Sequence, residues 1–499
     1  MSDSVSRFLR LDSNGLFGLF AVLAIIPIWL PPFPPLIDLP QHAAQIASLH
    51  ALLNGDNAMA AVFRIDWFTP YLGGMLLLYL ASCALPLIMA AKLVVSLAVI
   101  ALPVVTGMLL RAVGGDERLK WLAIPAGYSF AFYWGFLSFL VAVPLSLLLL
   151  WLTVPYERSL SFHRALGIAA FSLLLFFFHI IALGFGALIA LAWIVARNYR
   201  QPARLLRCAA PFMAPLPLMA FWVFNLFQNN ATVGEAPLSY GPLHLKLAVL
   251  FNQLAGLDGM FFGVNLLVAA TLALLPLLAG YRISSKPERW LPLLVGLIVY
   301  FSFPGEAANT SFIYHRVAVY LVPLWLLLWD RPAQLRPVWR LLIIGAIGIW
   351  IGVNAGRFSA FARDSMAFSS VLAKASPGKT MASLPLCKWT PHFAYPVYFH
   401  FASWYQAVRG GIADRSFAGS YPNLVRYRDP NARRVGQYIS LRPIDFDWTQ
   451  DGGARYDYFL VCATTDVTAP LFKRHANDVE LIARNGAWWL YQRRNGSAQ

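Results

Sequence analysis

Residues 31–42 are Pro31-Pro32-Phe33-Pro34-Pro35-Leu36-Ile37-Asp38-Leu39-Pro40-Gln41-His42, and they follow the first apolar run of the chain. The prolines fix φ and stiffen the backbone as it leaves that run. Pro40 restricts Leu39 to extended φ and ψ. We therefore predict a rigid loop that holds Asp38 in an apolar frame, followed by a helix from Gln41 to about Asn54.

The composition around this loop is that of a membrane protein. Of 499 residues, 59% are hydrophobic and only 12% are charged, with a mean hydropathy of +0.60. Soluble domains contain about 25% charged and about 45–50% apolar residues. These values exclude a disordered chain, a solenoid of polar repeats and an ordinary cytosolic enzyme. They predict a mainly α, polytopic helical membrane protein.

A transmembrane helix needs about 20 apolar residues. The sequence predicts about eleven such spans, at residues 14–31, 92–111, 120–134, 138–155, 164–179, 180–196, 208–227, 260–281, 290–304, 316–329 and 340–355. Two more apolar stretches, 70–90 and 237–257, are interpreted either as spans or as juxtamembrane helices that lie in the interface. We take them as interfacial helices, with a re-entrant pair as the alternative for 70–90. With that choice most Lys and Arg residues before Gly356 fall on one side of the membrane, which predicts a cytoplasmic N-terminus and an external C-terminus.

The composition becomes more polar after residue 355. We predict two domains, a transmembrane domain over 1–355 and a small extracytoplasmic α/β domain over 356–499. Helices are predicted at Arg357–Ala375 and Phe401–Val408, and strands at Thr380–Leu386 and Tyr456–Cys462. Asn485-Gly486 predicts a hairpin turn between the last two strands. Phe399-His400-Phe401 is predicted to lie in the core of this domain.

Cys387 and Cys462 lie in or beside two of these predicted strands. If the strands are neighbours, a disulfide can form in an oxidising compartment. The alternative is a pair of buried free thiols.

Asp38 is the candidate catalytic residue. A carboxylate held in an apolar frame can act as a general base or bind a divalent cation. The alternative is that Asp38 caps the following helix, although it lies slightly early for that position.

Basic residues also collect at the ends of spans on the predicted outer side. They include Lys92, Lys246 and Arg316. They are interpreted either as snorkelling side chains or as a site for an anionic ligand. His179 closes an aromatic run, where it either bonds a backbone carbonyl or contributes to a ligand site. His42 is likewise interpreted either as a structural residue or as part of such a site.

Four features together resemble the GT-C superfamily of membrane glycosyltransferases. Asp38 follows the first span in Asp-Leu-Pro-Gln-His, and the predicted non-crossing helices 41–54 and 70–90 come next. Lys92 then opens the second span, and His315-Arg316 enters a late span in Tyr-His-Arg-Val-Ala-Val-Tyr-Leu-Val-Pro. The resemblance covers most of residues 1–355 at the level of topology.

The resemblance implies transfer of a sugar from a polyprenyl-phosphate donor to an extracytoplasmic glycan, lipid or protein, with inversion at the anomeric carbon. Asp38 would deprotonate the acceptor hydroxyl. Candidate substrate-binding residues are His42, Lys92, His179, Lys246, Glu306, His315 and Arg316. Cations are expected there because the leaving lipid phosphate develops negative charge.

Metal use stays open at this point. Many GT-C enzymes have two acidic residues close together in the first loop, whereas Asp38 is alone in its segment. Either a second carboxylate comes from Glu235, Asp258 or Glu306, or the reaction needs no divalent cation.

Other functions compete with this one. An O-antigen-type ligase or polymerase is disfavoured by the acidic residue after the first span. A lipid-linked-oligosaccharide flippase would place charges near the midplane, and a non-enzymatic assembly scaffold would not need Asp38, His315 and Arg316. Membrane lipids are expected partners and nucleic acid is not, because the chain lacks a solvated basic face.

Overall fold

The computed structural model describes residues 14–229, 238–260, 262–307, 310–332, 336–429 and 442–494. The helices up to residue 229 are α1 Asn14–Leu23, α2 Ile26–Trp29, α3 Leu39–Leu53, α4 Asn57–Val62, α5 Leu72–Ser82, α6 Leu87–Ala112, α7 Phe130–Trp134, α8 Leu137–Ser159, α9 Phe162–Phe178, α10 Ile180–Asn198, α11 Pro202–Ala209 and α12 Leu216–Asn229. The later helices are α13 Leu243–Ala255, α14 Phe262–Leu278, α15 Pro287–Ser302, α16 Ile313–Leu326, α17 Pro337–Leu372, α18 Ser403–Arg409 and α19 Thr468–Phe472.

The strands are short and most lie after residue 379. They are β1 Phe63–Ile65, β2 Arg282–Ile283, β3 Glu306–Ala307, β4 Thr310–Ser311, β5 Trp329–Asp330, β6 Thr380–Pro385, β7 Ile412–Ala413, β8 Val425–Tyr427, β9 Tyr458–Cys462, β10 Val479–Asn485 and β11 Trp488–Arg493. The protein is therefore mainly helical, with a strand-containing C-terminal region, as predicted.

Four helices in the described part of the chain are long and apolar enough to cross a membrane. They are α6, α8, α10 and α17. A fifth crossing results if α11 with its 3₁₀ extension to Met213 and α12 form one span, since the two halves are bent by 48°. These segments correspond to predicted spans 92–111, 138–155, 180–196, 340–355 and 208–227. The protein therefore has the helices of a membrane protein.

The prediction of about eleven spans is not confirmed. Residues 120–134 do not form a continuous helix but two 3₁₀ segments, Glu117–Ala123 and Pro125–Gly127, followed by α7. Pro125 supplies no backbone N–H for a helix there. Other predicted spans correspond to shorter helices, such as α16 with 14 residues. At about 1.5 Å per residue, such a helix is shorter than the roughly 30 Å hydrocarbon core.

The predicted last span and the predicted helix after it form a single helix. α17 has 36 residues and runs through residue 356 without a break. Its length of about 54 Å, at 1.5 Å per residue, exceeds the thickness of the hydrocarbon core.

The chain divides into two compact units. The first unit contains the described residues of Met1–Ile26, Val95–Phe132 and Ser138–Asn354, and the second contains those of Pro27–Val94, Tyr133–Leu137 and Ala355–Gln499. One boundary therefore lies next to the predicted domain boundary at 355/356. The observed units differ from the predicted domain ranges because two earlier segments, Pro27–Val94 and Tyr133–Leu137, belong with the C-terminal region. β1 pairs with β8, and α3 packs against α18, which explains this grouping.

The second unit contains a five-stranded sheet in the order β10-β11-β9-β6-β7. β6 pairs parallel with both β9 and β7, while β9, β11 and β10 pair antiparallel. Gly486 turns the β10–β11 hairpin at a φ of +56°, as the Asn-Gly pair predicts. Phe459, Val461, Trp489 and Tyr491 are buried in the core of this region.

Cys387 and Cys462 form a disulfide in the second unit. The Cys387 N–H also donates to the Cys462 carbonyl at 2.9 Å, immediately after the parallel pair β6–β9. The interpretation in which neighbouring strands bring these cysteines together is confirmed.

Candidate functional site

The backbone around Asp38 is held by a short segment of the same unit. The Asp38 N–H donates to the Trp134 carbonyl at 2.8 Å, and the Ile37 N–H donates to the Tyr133 carbonyl at 3.2 Å. Gly135 follows with a φ of +82°, and a Cβ there would lie 2.9 Å from Leu39 N and 3.0 Å from Asp38 N. Only glycine combines this conformation with so close an approach.

The Asp38 side chain does not cap the helix that it precedes. Asp38 occupies the N-cap position of α3, but its carboxylate accepts no capping hydrogen bond. Its side chain is 10% exposed, and Oδ1 lies 3.5 Å from His400 Nε2. The alternative interpretation, in which the Asp38 side chain caps the helix, is therefore wrong.

Two other carboxylates of the first loop have structural partners. Asp56 caps α4 by accepting from the Met59 N–H at 3.0 Å. Asp66 forms an ion pair with Arg426 at 3.3 Å, beside the β1–β8 pairing. Asp38 differs from both because it faces the ring of a buried histidine.

Gln41 joins this histidine to the backbone. Its Nε2 lies 3.2 Å from His400 Nδ1 and donates to the Arg415 carbonyl at 2.8 Å. Its Oε1 accepts from the Phe417 N–H at 3.0 Å. The side chain is therefore bonded at both ends of its amide, one turn away from Asp38 on the same helix.

Arg415 adds positive charge beside these groups. Its guanidinium carbon lies 3.9 Å from the centroid of the Phe399 ring. Burial lowers the pKa of Arg415 to about 10, while the charges of Asp414 and Asp38 act in the opposite direction. Arg415 thus remains a cation at neutral pH.

His400 and His42 both contact Phe417. The two imidazoles lie edge-on to the Phe417 ring, with centroids 5.5 Å and 5.7 Å away. Burial lowers the pKa of His400 well below its usual range, and the charges of Arg415 and His42 lower it further. We call Asp38, Gln41, His42, His400, Arg415 and Phe417 the Asp38 cluster.

Lys92 is predicted to bind phosphate, but its ammonium donates to backbone carbonyls at the start of the first loop. Its buried ammonium donates to the Pro31 carbonyl at 2.6 Å and to the Trp29 carbonyl at 3.4 Å. It also lies 5.9 Å from the Trp29 ring. Through these contacts Lys92 fixes the loop that leads to Asp38. The two carbonyl oxygens replace the water that the ammonium loses on burial.

Four of the other predicted substrate-binding residues form one group in the first unit. The Arg316 guanidinium carbon lies 5.6 Å from the Phe139 centroid, and His179 packs edge-on against the same ring at 5.0 Å. His315 stacks on Tyr314 at 3.9 Å, and the Lys246 ammonium lies 4.8 Å from the Tyr314 ring. We call Phe139, His179, Lys246, Tyr314, His315 and Arg316 the basic–aromatic cluster.

The members of this cluster differ in how their polar atoms are used. His179 Nδ1 accepts from the Ile181 N–H at 3.2 Å, so this histidine caps α10. The Lys246 ammonium donates to the Phe301 and Phe303 carbonyls at 2.7 Å and 2.9 Å. His315 Nδ1 is buried without a hydrogen-bond partner among the described residues.

Glu306 lies in the small hairpin formed by β3 and β4. It is exposed, and its Oε1 accepts from the Ser311 hydroxyl at 3.2 Å. Asp258 accepts from the Met260 N–H at 3.3 Å. Glu235, the third candidate for a second carboxylate, lies outside the described residues.

Within the described ranges, no group of three or more His, Cys, Asp or Glu side chains is arranged to hold a metal ion. In the Asp38 cluster the carboxylate lies 3.5 Å from the His400 imidazole, and its charge acts to raise the pKa of Arg415.

The chain matches no protein-family model and no curated protein.

Sequence reasoning missed His400, Gln41 and Arg415. His400 was expected in the core because aromatic residues flank it, and it is indeed buried, but its ring faces Asp38. The available signal was a polar residue inside an aromatic run. Nothing in the local pattern connects that residue with the first loop, since 359 residues separate Gln41 from His400.

Proposed function

We propose that this protein is an integral-membrane glycosyltransferase that transfers a sugar from a polyprenyl-phosphate donor to an extracytoplasmic glycan, lipid or protein. The observation that carries the proposal is the carboxylate of Asp38. It is almost buried, accepts no helix-capping hydrogen bond, and lies with its Oδ1 3.5 Å from the Nε2 of a buried histidine, His400. Such a carboxylate suits proton transfer better than fold stabilisation.

The proposed step is a direct displacement at the anomeric carbon. Asp38 takes the proton of the acceptor hydroxyl, and the acceptor oxygen forms a bond to the anomeric carbon. The bond between that carbon and the phosphate oxygen breaks, and its electron pair leaves with the lipid phosphate. The products are the glycosylated acceptor and the polyprenyl phosphate, and the configuration inverts because attack and departure occur on opposite faces.

The basic–aromatic cluster is the proposed ligand of the donor phosphate. Arg316 is its principal candidate, because a guanidinium presents paired donors to phosphate oxygens. Lys246, His179 and His315 supply further positive charge or donors near the same rings. The cluster would stabilise the charge that develops on the leaving oxygen.

The proposal includes a location in the cytoplasmic membrane, with about eleven crossings of various lengths and an external C-terminal region in the cell envelope. The disulfide supports an oxidising compartment for the second unit. The excess of Lys and Arg on the other predicted side supports a cytoplasmic N-terminus.

The decisive experiment measures donor consumption by purified protein in liposomes. The wild type, Asp38→Asn and Asp56→Asn are supplied with a panel of polyprenyl-phosphate sugars and a membrane extract as acceptor. Asp56→Asn is the matched control, because asparagine caps a helix as well as aspartate does. We expect Asp38→Asn to lower the rate by about 10² or more and Asp56→Asn to leave it unchanged.

Two results would overturn parts of this proposal. Equal consumption by the wild type and Asp38→Asn would remove Asp38 from catalysis. Binding of the donor with no consumption by any of the three proteins would reject glycosyl transfer and favour a lipid-linked-oligosaccharide transporter or an assembly scaffold.

A further inference from the structure

We propose that Gln41 fixes His400 as a neutral imidazole whose Nε2–H faces Asp38, so that His400 is a positioning residue for the proposed base. The role in catalysis rests on the proposed function, whereas the protonation state of the ring does not. The inference follows from three hydrogen bonds of the Gln41 amide and from the 3.5 Å distance between His400 Nε2 and Asp38 Oδ1.

The orientation of the Gln41 amide is set by backbone groups. A backbone N–H can only donate, so the Phe417 N–H identifies the atom that it meets as the amide oxygen. A carbonyl can only accept, so the Arg415 carbonyl identifies the other atom as the amide nitrogen. Exchanging the two atoms would place two donors together at one end and two acceptors together at the other.

The orientation of the amide then determines the proton on His400. The Gln41 nitrogen lies 3.2 Å from His400 Nδ1 and carries only donors, so Nδ1 must accept. A neutral imidazole has one donor and one acceptor nitrogen, which leaves the proton on Nε2. Nε2 is the atom that lies 3.5 Å from Asp38 Oδ1.

The same arrangement opposes a second proton on the ring. An imidazolium carries N–H on both nitrogens, and its Nδ1–H would meet the donor end of Gln41. Arg415 and His42 also place positive charge near the ring, and only Asp38 among these neighbours is negative.

A neutral His400 has a specific consequence for Asp38. An imidazolium 3.5 Å away would hold the carboxylate in an ion pair and make it a weaker base. A neutral Nε2–H instead orients one carboxylate oxygen and adds no further positive charge beside Asp38. His400 would therefore position the base without exchanging a proton.

The protonation state can be measured without any activity. Wild-type protein with ¹⁵N-labelled histidine is reconstituted in liposomes, and the ring nitrogen resonances are compared with those of His400→Gln, which lacks only the His400 signals. We expect one protonated nitrogen and one unprotonated, hydrogen-bonded nitrogen at pH 7. In Gln41→Leu we expect the His400 ring to lose this single protonation state, because no donor then fixes Nδ1 as the acceptor. Two protonated nitrogens in the wild type, or an unchanged spectrum in Gln41→Leu, would overturn the assignment.

The positioning role is tested by a matched pair of variants. The amide nitrogen of glutamine reaches about as far as Nε2 of histidine, and that of asparagine only as far as Nδ1. His400→Gln therefore keeps a neutral donor toward Asp38, while His400→Asn does not. We expect His400→Gln to keep kcat within about threefold and His400→Asn to lower it by about 10², as a misplaced catalytic group does.

The outcomes of this pair separate the possible roles. Equal activity of the two variants, whether high or low, would reject a positioning role, because size and polarity are nearly matched. If no protein consumes donor while the resonances are as expected, the proposed function fails and the assignment of the proton on His400 stands.

Discussion

Gln41 Nε2 lies 3.2 Å from His400 Nδ1 across 359 residues of sequence. The contact joins the first turn of α3 to the segment before α18, and these two helices pack against each other. A second hydrogen bond joins the same two helices, because the Gln406 amide on α18 donates to the Ser48 hydroxyl on α3 at 2.8 Å. The position of the His400 ring beside Asp38 therefore depends on the packing of the first loop on the C-terminal region.

Gly135→Ala should displace the backbone that holds Asp38. A Cβ at this position would collide with Asp38 N and Leu39 N, and φ is already +82°. We expect a lower thermal midpoint, corresponding to about 1–3 kcal/mol, together with loss of transfer activity. Gly55→Ala is the control, because Gly55 has a φ of +77° but open space around it. Equal effects of the two substitutions would show that φ alone, and not the close approach to Asp38, matters.

Lys92→Met should destabilise the loop without weakening donor binding. The Lys92 ammonium bonds the Pro31 and Trp29 carbonyls, and methionine leaves these buried acceptors unsatisfied. We expect a lower thermal midpoint and a lower kcat, with an unchanged dissociation constant for the donor. The exposed Lys374→Met serves as the control. A higher dissociation constant without a change in stability would instead make Lys92 a phosphate ligand.

Arg316→Gln should weaken donor binding and leave the fold intact. A hydrogen bond to a charged group contributes about 1.5–3 kcal/mol, which corresponds to an increase of about tenfold or more in the dissociation constant. The measurement is equilibrium binding of a polyprenyl-phosphate sugar to protein in detergent. Arg282→Gln, on the exposed strand β2 of the same unit, should bind as the wild type does. Unchanged binding by Arg316→Gln would contradict the role of the basic–aromatic cluster.

The Cys387–Cys462 disulfide should be detectable as two protected thiols. In unfolded, unreduced protein, alkylation should label only Cys83 and Cys208, and reduction should raise the count to four. Because the bond closes a loop with a sequence separation of 75, replacing both of its cysteines by serine should cost about 2–4 kcal/mol. Cys83→Ser, which removes an exposed free thiol, should leave the thermal midpoint unchanged. Four labelled thiols before reduction would exclude the bond.

Asp414 should make stability depend on pH. Burial raises the pKa of Asp414 to about 8, although its Oδ1 accepts from the Ser383 N–H at 2.9 Å. Between the unfolded pKa of about 3.9 and this value the native state binds more protons, so the free energy of unfolding falls as pH rises, by at most about 1.4 kcal/mol per pH unit. Asp414→Asn should remove this slope in thermal midpoints measured from pH 5 to pH 8.

The exposed Asp445→Asn is the control for that series, because its side chain lies at the surface in an ion pair with Arg442. It should keep the slope of the wild type. A slope that persists in Asp414→Asn would assign the pH dependence to another group.

Local sequence patterns predicted most of the secondary structure of the second unit. Strands β6 and β9, helix α18 and the hairpin at Gly486 lie within a few residues of their predicted positions, because alternation, glycine turns and apolar periodicity act over short distances. The same patterns predict about eleven spans, whereas four or five helices of the described residues are long and apolar enough to cross a membrane. Hydropathy measures apolar content, and it cannot detect that Glu117–Ala123 and Pro125–Gly127 form 3₁₀ segments and not one continuous helix.

The sequence by itself determined that this is a mainly helical protein with membrane-spanning helices, and it singled out Asp38 in its proline-bounded loop. Only the tertiary structure decided what surrounds that carboxylate. His400 and Arg415 reach it through the packing of α3 on α18, and Lys92 turns to the carbonyls of the loop. These partners are distant in sequence, and side-chain contacts over such distances are set by packing, which leaves no periodic signal in the local sequence.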